Sequence, residues 1–128
     1  MRRVTGIGGI FFKAQDAASL RAWYQEHLGI SIEDYGGTVF NWRDAENPDQ
    51  KGGTVWSIFA ASSPYFAPSD KPFMINYRVE NLAALLEQLK REGVEVDEKV
   101  EEFEYGRFGW VMDPEGNRIE LWEPAPGY

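Results

Sequence analysis

Few side chains in this sequence have the chemistry of a catalytic or ligand site, and Glu120 is the first to consider. It lies in "NRIELWEP", between two apolar residues near the end of the chain. An acidic residue in such a strand can pair with a cation on the wet side of a sheet, here Arg78, Arg118 or Lys13. It can also contact a ligand, or act as a metal ligand or general base. The residues alone leave these three interpretations open.

Side chains that bind metals are scarce. The chain has one histidine, His27, and no cysteine. His27 falls in the last turn of a predicted helix, where the carbonyl groups of the helix end or solvent are its expected contacts. The loop "DAENPDQ" holds Asp44, Glu46 and Asp49, but without the spacing of a calcium loop. The sequence therefore predicts no metal site, no disulfide and no cofactor.

Composition narrows the class of protein. The 128 residues are 43% hydrophobic and 15% aromatic, with five tryptophans, which predicts one domain (1–128) with large side chains in a core or pocket. The net charge of −8 disfavours nucleic acid as a partner. No apolar run approaches the ~18 residues that span a bilayer, and the start does not resemble a signal peptide. We expect a cytoplasmic protein without a membrane partner.

The elements that must position these side chains follow a repeated pattern. Residues 10–34 and 75–98 each predict a strand, an amphipathic helix and a second strand. Asp16 and Asn81 suit the N-caps of the two helices, and Gly29 and Gly93 suit their C-terminal stops. A hairpin follows each unit, and the second hairpin turns at 113–117. The segment "SSPYFAPSDKP" reads as a connector between the halves.

This arrangement predicts an α+β fold of two βαβββ modules, at about 5–62 and 72–124. Together they would form a curved, mostly antiparallel sheet of eight strands. Both helices would cover one face of the sheet, and the other face would be concave. Ile119 and Leu121 would face the helices, so Glu120 would point into the concave face.

Two stretches, "GWVMDPEGNRIELWEP" and "AWYQEHLGI", make the chain resemble the vicinal oxygen chelate superfamily, which includes glyoxalase I, bleomycin-resistance proteins and extradiol dioxygenases. The resemblance implies a divalent metal in the concave face, held by His and Glu side chains from four strands. Those positions fall near Gly9, Trp56, Met74 and at Glu120. Only Glu120 has the required side chain, so the resemblance combined with the composition predicts a protein that works without a metal.

Alternation along the strands predicts which side chains share the concave face with Glu120. The predicted ligand-binding set is Phe11, Trp56, Met74, Asn76, Arg78, Arg118, Glu120 and Trp122. Aromatic walls with a few polar groups are typical of a small-molecule pocket. The leading hypothesis is a small-molecule binding protein that forms a homodimer. The alternative is a glyoxalase-type lyase or dioxygenase-like enzyme that uses Glu120 in a degenerate metal site.

Overall fold

The computed structural model describes residues 2–128 of the chain. Within this described range the chain forms seven strands and two α-helices, and a short 3₁₀ helix lies at Pro64–Phe66. The elements in chain order are β1 Val4–Ala14, α1 Ala17–Leu28, β2 Gly37–Arg43, β3 Lys51–Ala60, β4 Phe73–Val79, α2 Leu82–Arg91, β5 Glu95–Phe103, β6 Gly106–Met112 and β7 Arg118–Pro124. This is an α+β fold, as the sequence predicts.

All seven strands form one mixed sheet with the order β2-β3-β1-β4-β7-β6-β5. The pairs β1–β3 and β4–β7 are parallel, and the other neighbouring pairs are antiparallel. The sheet is open, with β2 and β5 at its edges. The β4–β7 pair is central to the site because it places Asn76 beside Glu120.

The helix ends follow the sequence signals. The side chain of Asp16 accepts a hydrogen bond from the Ser19 amide, and Asn81 does the same for Ala84. Gly29 ends α1 in the left-handed conformation, with φ of 66°. Gly93 follows the end of α2 with φ of 83°, which favours glycine because a Cβ is strained there.

The prediction of eight strands is wrong. Between α1 and β2 the described residues form no strand, although "ISIED" alternates as a strand would. The reason is chain length. A turn closes at Gly36, whose amide donates to the Glu33 carbonyl oxygen, and β2 begins at the next residue. Too few residues remain for a paired strand, whereas the matching segment of the second half, β5, has nine.

The two faces of the sheet carry different cores. On one face, which we call the aromatic face, six buried side chains form a cluster: Phe11, Phe66, Met74, Phe108, Trp110 and Trp122. On the opposite face α2 packs on the sheet through an aliphatic cluster of Val79, Leu82, Leu85, Leu86, Val111 and Leu121. Leu121 therefore faces a helix, as alternation predicts, and Glu120 points to the aromatic face.

Helix α1 is held more loosely than α2. None of its residues is buried, and the side chains of Trp23 and Leu28 are 48% and 60% exposed. Its Tyr24 makes an aromatic contact with the sheet, with its ring 4.9 Å from that of Trp56.

No helix in residues 2–128 is long and apolar enough to cross a membrane.

Candidate functional site

Glu120 lies at the centre of the aromatic face and is 1% exposed. Its carboxylate accepts three hydrogen bonds from neutral donors. Asn76 Nδ2 donates to Oε1 at 2.7 Å, and Trp110 Nε1 donates to Oε2 at 3.0 Å. The Tyr65 hydroxyl also donates to Oε2. Three donors from three different elements therefore fix the position of this carboxylate.

Burial dominates the acidity of this cluster. Loss of water raises the pKa of Glu120 above its usual 4.5, although the three hydrogen bonds and the charge of Arg118 act in the opposite direction. Burial also raises the pKa of Tyr65, and the neighbouring negative charge of Glu120 adds to that effect. Tyr65 therefore remains a protonated donor, and Glu120 holds a proton more readily than a surface glutamate does.

The expected ion pair of Glu120 is absent from residues 2–128. Arg118 instead pairs with Asp97 at 3.3 Å, and its guanidinium carbon lies 5.1 Å from the centre of a Trp110 ring. Lys13 lies over the Phe66 ring, with Nζ 5.1 Å from the ring centre. Neutral donors occupy the Glu120 oxygens, so of the three interpretations that the sequence leaves open, the ion pair with Arg78, Arg118 or Lys13 is wrong.

Trp56 is the predicted site residue that lies on the wrong face. Its ring packs against Phe12 and Tyr24, on the side of the sheet that carries α1. The strand "TVWSIFA" is apolar at both alternating sets of positions, so its sequence does not show which set faces the site. In the structure Val55 and Phe59 pack against the aromatic cluster.

Seven of the eight predicted ligand contacts lie on the aromatic face. Phe11, Met74 and Trp122 belong to its buried cluster. Asn76 and Glu120 are hydrogen-bonded to each other, and both are 1% exposed. Arg78 and Arg118 lie on the same strands in step with them. These seven side chains therefore share one face, the centre of which is packed with side chains, and their contact with a ligand stays a prediction.

The connector supplies residues that the sequence analysis missed. Phe66 is completely buried in the aromatic cluster, and Tyr65 bonds to Glu120. The hydrogen bond from Tyr65 to Glu120 spans 55 residues of chain, so local spacing gives no signal for it. Trp110 was predictable. The turn pairs Asp113 with Asn117. Three residues away from the turn along each strand, Trp110 lies opposite Glu120.

Two cavities border the aromatic face. One, of about 400 Å³, is lined by Tyr65, Trp110, Arg118 and neighbouring residues of the connector and β5. The other, of about 750 Å³, is lined by Arg78 and Trp42 together with residues of the β2–β3 loop and the segment after β7. The two linings share no residue. Glu120 lines neither of these two cavities and is 1% exposed.

The residues at the implied metal positions do not fit a metal ion. Gly9 has no side chain, Trp56 faces away, and Met74 offers only a thioether, a ligand for soft ions. The oxygens of Glu120 accept hydrogen bonds from N–H and O–H groups. A bound cation would instead need neighbouring atoms that offer lone pairs to it. In residues 2–128 no three His, Cys, Asp or Glu side chains come together as a possible metal site.

Comparison with known proteins agrees with this fold. The sequence model of the Glyoxalase/Bleomycin resistance protein/Dioxygenase superfamily matches residues 6–121. The chain belongs to this superfamily. The resemblance seen in the sequence is therefore confirmed over nearly its whole length. No protein with a curated description matches the chain.

Solved structures of the superfamily share the fold at low sequence identity. The methylmalonyl-CoA epimerase of Mycobacterium tuberculosis is 21% identical, with a TM-score of 0.65 over 98% of this chain and 92% of that one. A Streptomyces coelicolor methylmalonyl-CoA epimerase variant in complex with 2-nitronate-propionyl-CoA is 15% identical, with a TM-score of 0.66 over 95% and 99%. A superfamily member from Vibrio splendidus 12B01 is 11% identical, with a TM-score of 0.56 over 96% and 99%.

Proposed function

We propose that this chain binds a small molecule at the aromatic face, in the cavity of about 400 Å³, without a metal ion. The observation that carries the proposal is the lining of that cavity. Phe59, Tyr65 and Trp110 supply aromatic walls, and Lys99, Glu101 and Arg118 supply charged groups, with Lys99 paired to Glu101 and Arg118 paired to Asp97. A concave, largely aromatic site with a few placed polar groups is the usual form of a small-molecule site.

The lining also favours a planar ligand. The rings of Phe59 and Tyr65 are stacked, 5.6 Å apart and 14° from parallel, which leaves a flat wall. Tyr65 belongs both to the cavity and to the Glu120 cluster, because its hydroxyl donates to that carboxylate. A ligand that displaces the Tyr65 ring would gain access to Glu120. Tyr65 is thus the proposed link between bound ligand and buried carboxylate.

A fluorescence screen tests this proposal. Planar compounds that bind beside Trp110 should quench tryptophan emission. Replacing Arg118 with Met should weaken their binding by about tenfold, or about 1.4 kcal/mol. The matched control is Arg107→Met, because Arg107 is half exposed and pairs with Glu102 instead. Compounds that bind Arg118→Met as tightly as the parent would contradict a site in this cavity.

Metal independence is a separate part of the proposal, supported by the three donors that surround the Glu120 carboxylate. Elemental analysis of the purified protein should find far less than one equivalent of Zn, Ni, Mn or Fe. Chelator should leave the melting temperature unchanged. A stoichiometric metal that is lost in Glu120→Gln would refute it.

A second hypothesis is an enzyme, either a glyoxalase-type lyase or a dioxygenase-like enzyme, that uses Glu120 in a degenerate metal site. Its specific support is the burial of Glu120 among neutral donors, which raises the pKa of this carboxyl group above its usual value and makes it a better proton acceptor. The likeness to methylmalonyl-CoA epimerases supports it at the level of fold. Under this hypothesis Glu120→Gln would abolish turnover but leave ligand binding within a few fold, and loss of both together would oppose it.

We also propose that two copies associate through the central strands and α1. Ile10 on β1 and Phe73 on β4 are 37% and 40% exposed, although central strands of a sheet are normally covered. The exposed Trp23 and Leu28 of α1 add to the apolar surface. A second copy is the simplest cover, because symmetric pairs dominate among oligomers.

The acidic net charge and lack of cysteine support a cytoplasmic protein that does not bind nucleic acid.

A further inference from the structure

The charged side chains at the cavity of about 400 Å³ are paired with one another. Lys99 and Glu101 both line this cavity, and Nζ of Lys99 lies 2.8 Å from an oxygen of Glu101. Arg118 also lines it, and its Nη1 lies 3.3 Å from an oxygen of Asp97. Nε of Arg118 has no hydrogen-bond partner in residues 2–128, but it is buried where a ligand in the cavity does not reach it. Two cations are thus matched by two carboxylates, so the site has no net formal charge although the whole chain carries −8.

A ligand with a net charge gains little from such a site. An anion that approached either cation would also meet the carboxylate paired with it, and a cation would meet the opposite arrangement. These two effects act over similar distances and nearly cancel. The ligand would still lose hydration on entering a cavity with aromatic walls, and that loss is much larger for a charged group than for a neutral one. Desolvation therefore disfavours both anions and cations.

Ser63 supplies an uncharged donor in the same lining. It is the N-cap of the 3₁₀ helix, and its Oγ accepts from the Tyr65 amide at 3.3 Å. A serine hydroxyl also has one O–H group to donate, and in residues 2–128 this hydroxyl takes part in hydrogen bonds only as an acceptor. The other uncharged side-chain donors of the lining, Tyr65 and Trp110, already donate to Glu120. Ser63 is therefore the uncharged donor that a ligand can use.

The backbone holds Ser63 beside the flat wall of the cavity. Its amide donates to the Ala60 carbonyl at 3.0 Å, which fixes it at the end of β3. Tyr65 follows two residues later, and its ring is stacked on that of Phe59, 5.6 Å away. A planar molecule against this wall lies in the same cavity as the Ser63 hydroxyl. One ligand can therefore contact the stacked rings and accept a hydrogen bond from Ser63.

We propose that this site selects a neutral, planar molecule that carries a hydrogen-bond acceptor, such as the carbonyl oxygen of an aromatic ketone, and that Ser63 recognises that acceptor. The inference rests on the proposed function, because it concerns the same cavity. The stacked rings contact the plane of the ligand, the paired charges exclude ligands with a net charge, and Ser63 donates to the acceptor. An acceptor that lost water without gaining this bond would bind less well than a hydrocarbon of the same shape.

The experiment titrates the full-length protein with four naphthalenes that carry their substituent at the same ring position. Acetylnaphthalene is the neutral acceptor, isopropenylnaphthalene is its hydrocarbon match, naphthoate is the anion and naphthylmethylammonium is the cation. NMR of the Trp110 indole N–H group follows binding, because Trp110 lines the cavity. Acetylnaphthalene should shift this signal to saturation and bind about tenfold more tightly than either charged probe.

Three substitutions test the parts of the site separately. Ser63→Ala should weaken acetylnaphthalene binding about fivefold and leave isopropenylnaphthalene unchanged, because only the ketone loses a hydrogen bond. Ser69→Ala is the matched control and should change neither, since Ser69 lies in the same connector, accepts from the Lys71 amide at 3.1 Å and does not line this cavity. Glu101→Gln leaves Lys99 without its partner and should tighten naphthoate binding several-fold.

The outcomes separate this inference from the proposed function. The absence of a saturable shift with all four probes would refute both. If acetylnaphthalene binds but naphthoate or the ammonium probe binds equally tightly, the neutral ligand class is overturned while the proposed function stands, and this comparison needs no variant to fold. An equal loss of both uncharged probes in Ser63→Ala, or an unchanged affinity for the ketone, would overturn the role of Ser63. Naphthoate binding that Glu101→Gln does not tighten would overturn exclusion by paired charges.

Discussion

Glu120 is stabilised by geometry more than by charge. Its donors, Tyr65, Asn76 and Trp110, are all neutral, and each comes from a different part of the chain. A buried carboxylate with neutral donors can exist with or without its proton, since no cation or metal locks it in the charged form. Under the proposed function, a ligand next to Tyr65 would change the protonation of Glu120.

At this scale the first prediction concerns pH. The folded state holds the pKa of Glu120 above 4.5, so it binds more protons than the unfolded state as pH rises past that value. Stability from this group is therefore present at low pH and is lost as pH rises through the folded pKa. Glu120→Gln has no titrating carboxyl group at this position, so its stability does not fall in this way. The free energy of unfolding of the variant minus that of the parent should therefore increase with pH, measured by urea unfolding between about pH 4 and pH 8.

Glu102→Gln is the control, because Glu102 is largely exposed and pairs with Arg107 on the surface. Its stability relative to the parent should show no comparable rise with pH. A difference between Glu120→Gln and the parent that stays flat or falls as pH rises would contradict a raised pKa.

Alternation along single strands predicted most of this environment and shows where such prediction ends. In β7 the residues that alternate with Glu120 are Ile119 and Leu121, which are apolar, as a face covered by a helix requires. The direction of the Glu120 side chain therefore follows from the sequence. In β3 both sets are apolar, and Trp56 was assigned to the wrong one. The partners of Glu120 depend on contacts across the sheet and from the connector, which spacing along the chain does not encode.

Among the elements, the connector changes the site most. The 3₁₀ helix at Pro64–Phe66 inserts Phe66 into the aromatic cluster and places Tyr65 over Glu120. Sequence indicates a connector here from its prolines, but its role as the cover of the aromatic face appears only in the fold. The element that joins the two halves also closes the site.

The second prediction tests this element. Phe66→Ala removes a fully buried ring and should lower the free energy of unfolding by about 3–5 kcal/mol. Tyr65→Phe removes one donor from a buried carboxylate and should cost about 1–3 kcal/mol. Tyr105→Phe, at an exposed tyrosine, is the control and should change little. Denaturant unfolding measures all three, and a cost below about 1 kcal/mol for Phe66→Ala would show that the connector does not close the core.

At the scale of the whole molecule, the repeated sequence pattern predicted the class of fold but overestimated its regularity. Both halves carry a strand, a helix and a hairpin, but the first lacks the strand that the second has as β5. The first half lacks this strand because few residues separate the end of α1 from Gly37, where β2 begins. Alternation of apolar and polar residues does not show how many residues are free to form a strand. Helix α1 has no buried residue, whereas α2 buries Leu82, Leu85 and Leu86.

The third prediction follows from that exposure. Light scattering at micromolar concentration should give twice the 14.6 kDa mass of one chain. Ile10→Glu and Trp23→Glu should shift the mass toward the monomer, because a charge in an apolar interface is left without a partner. Val100→Glu, at an equally exposed apolar position on edge strand β5, should leave the dimer intact. A parent that scatters as a monomer would refute the pairing.

The central claim is that neutral donors hold Glu120 in a buried, protonatable state. A ¹³C NMR titration of its side-chain carboxyl carbon, assigned with Glu120→Gln, tests this most directly. We expect a midpoint above 4.5 that does not move when Zn²⁺ is added. A midpoint at or below 4.5, or a signal displaced by stoichiometric Zn²⁺, would mean that a cation controls this carboxylate and would contradict the account.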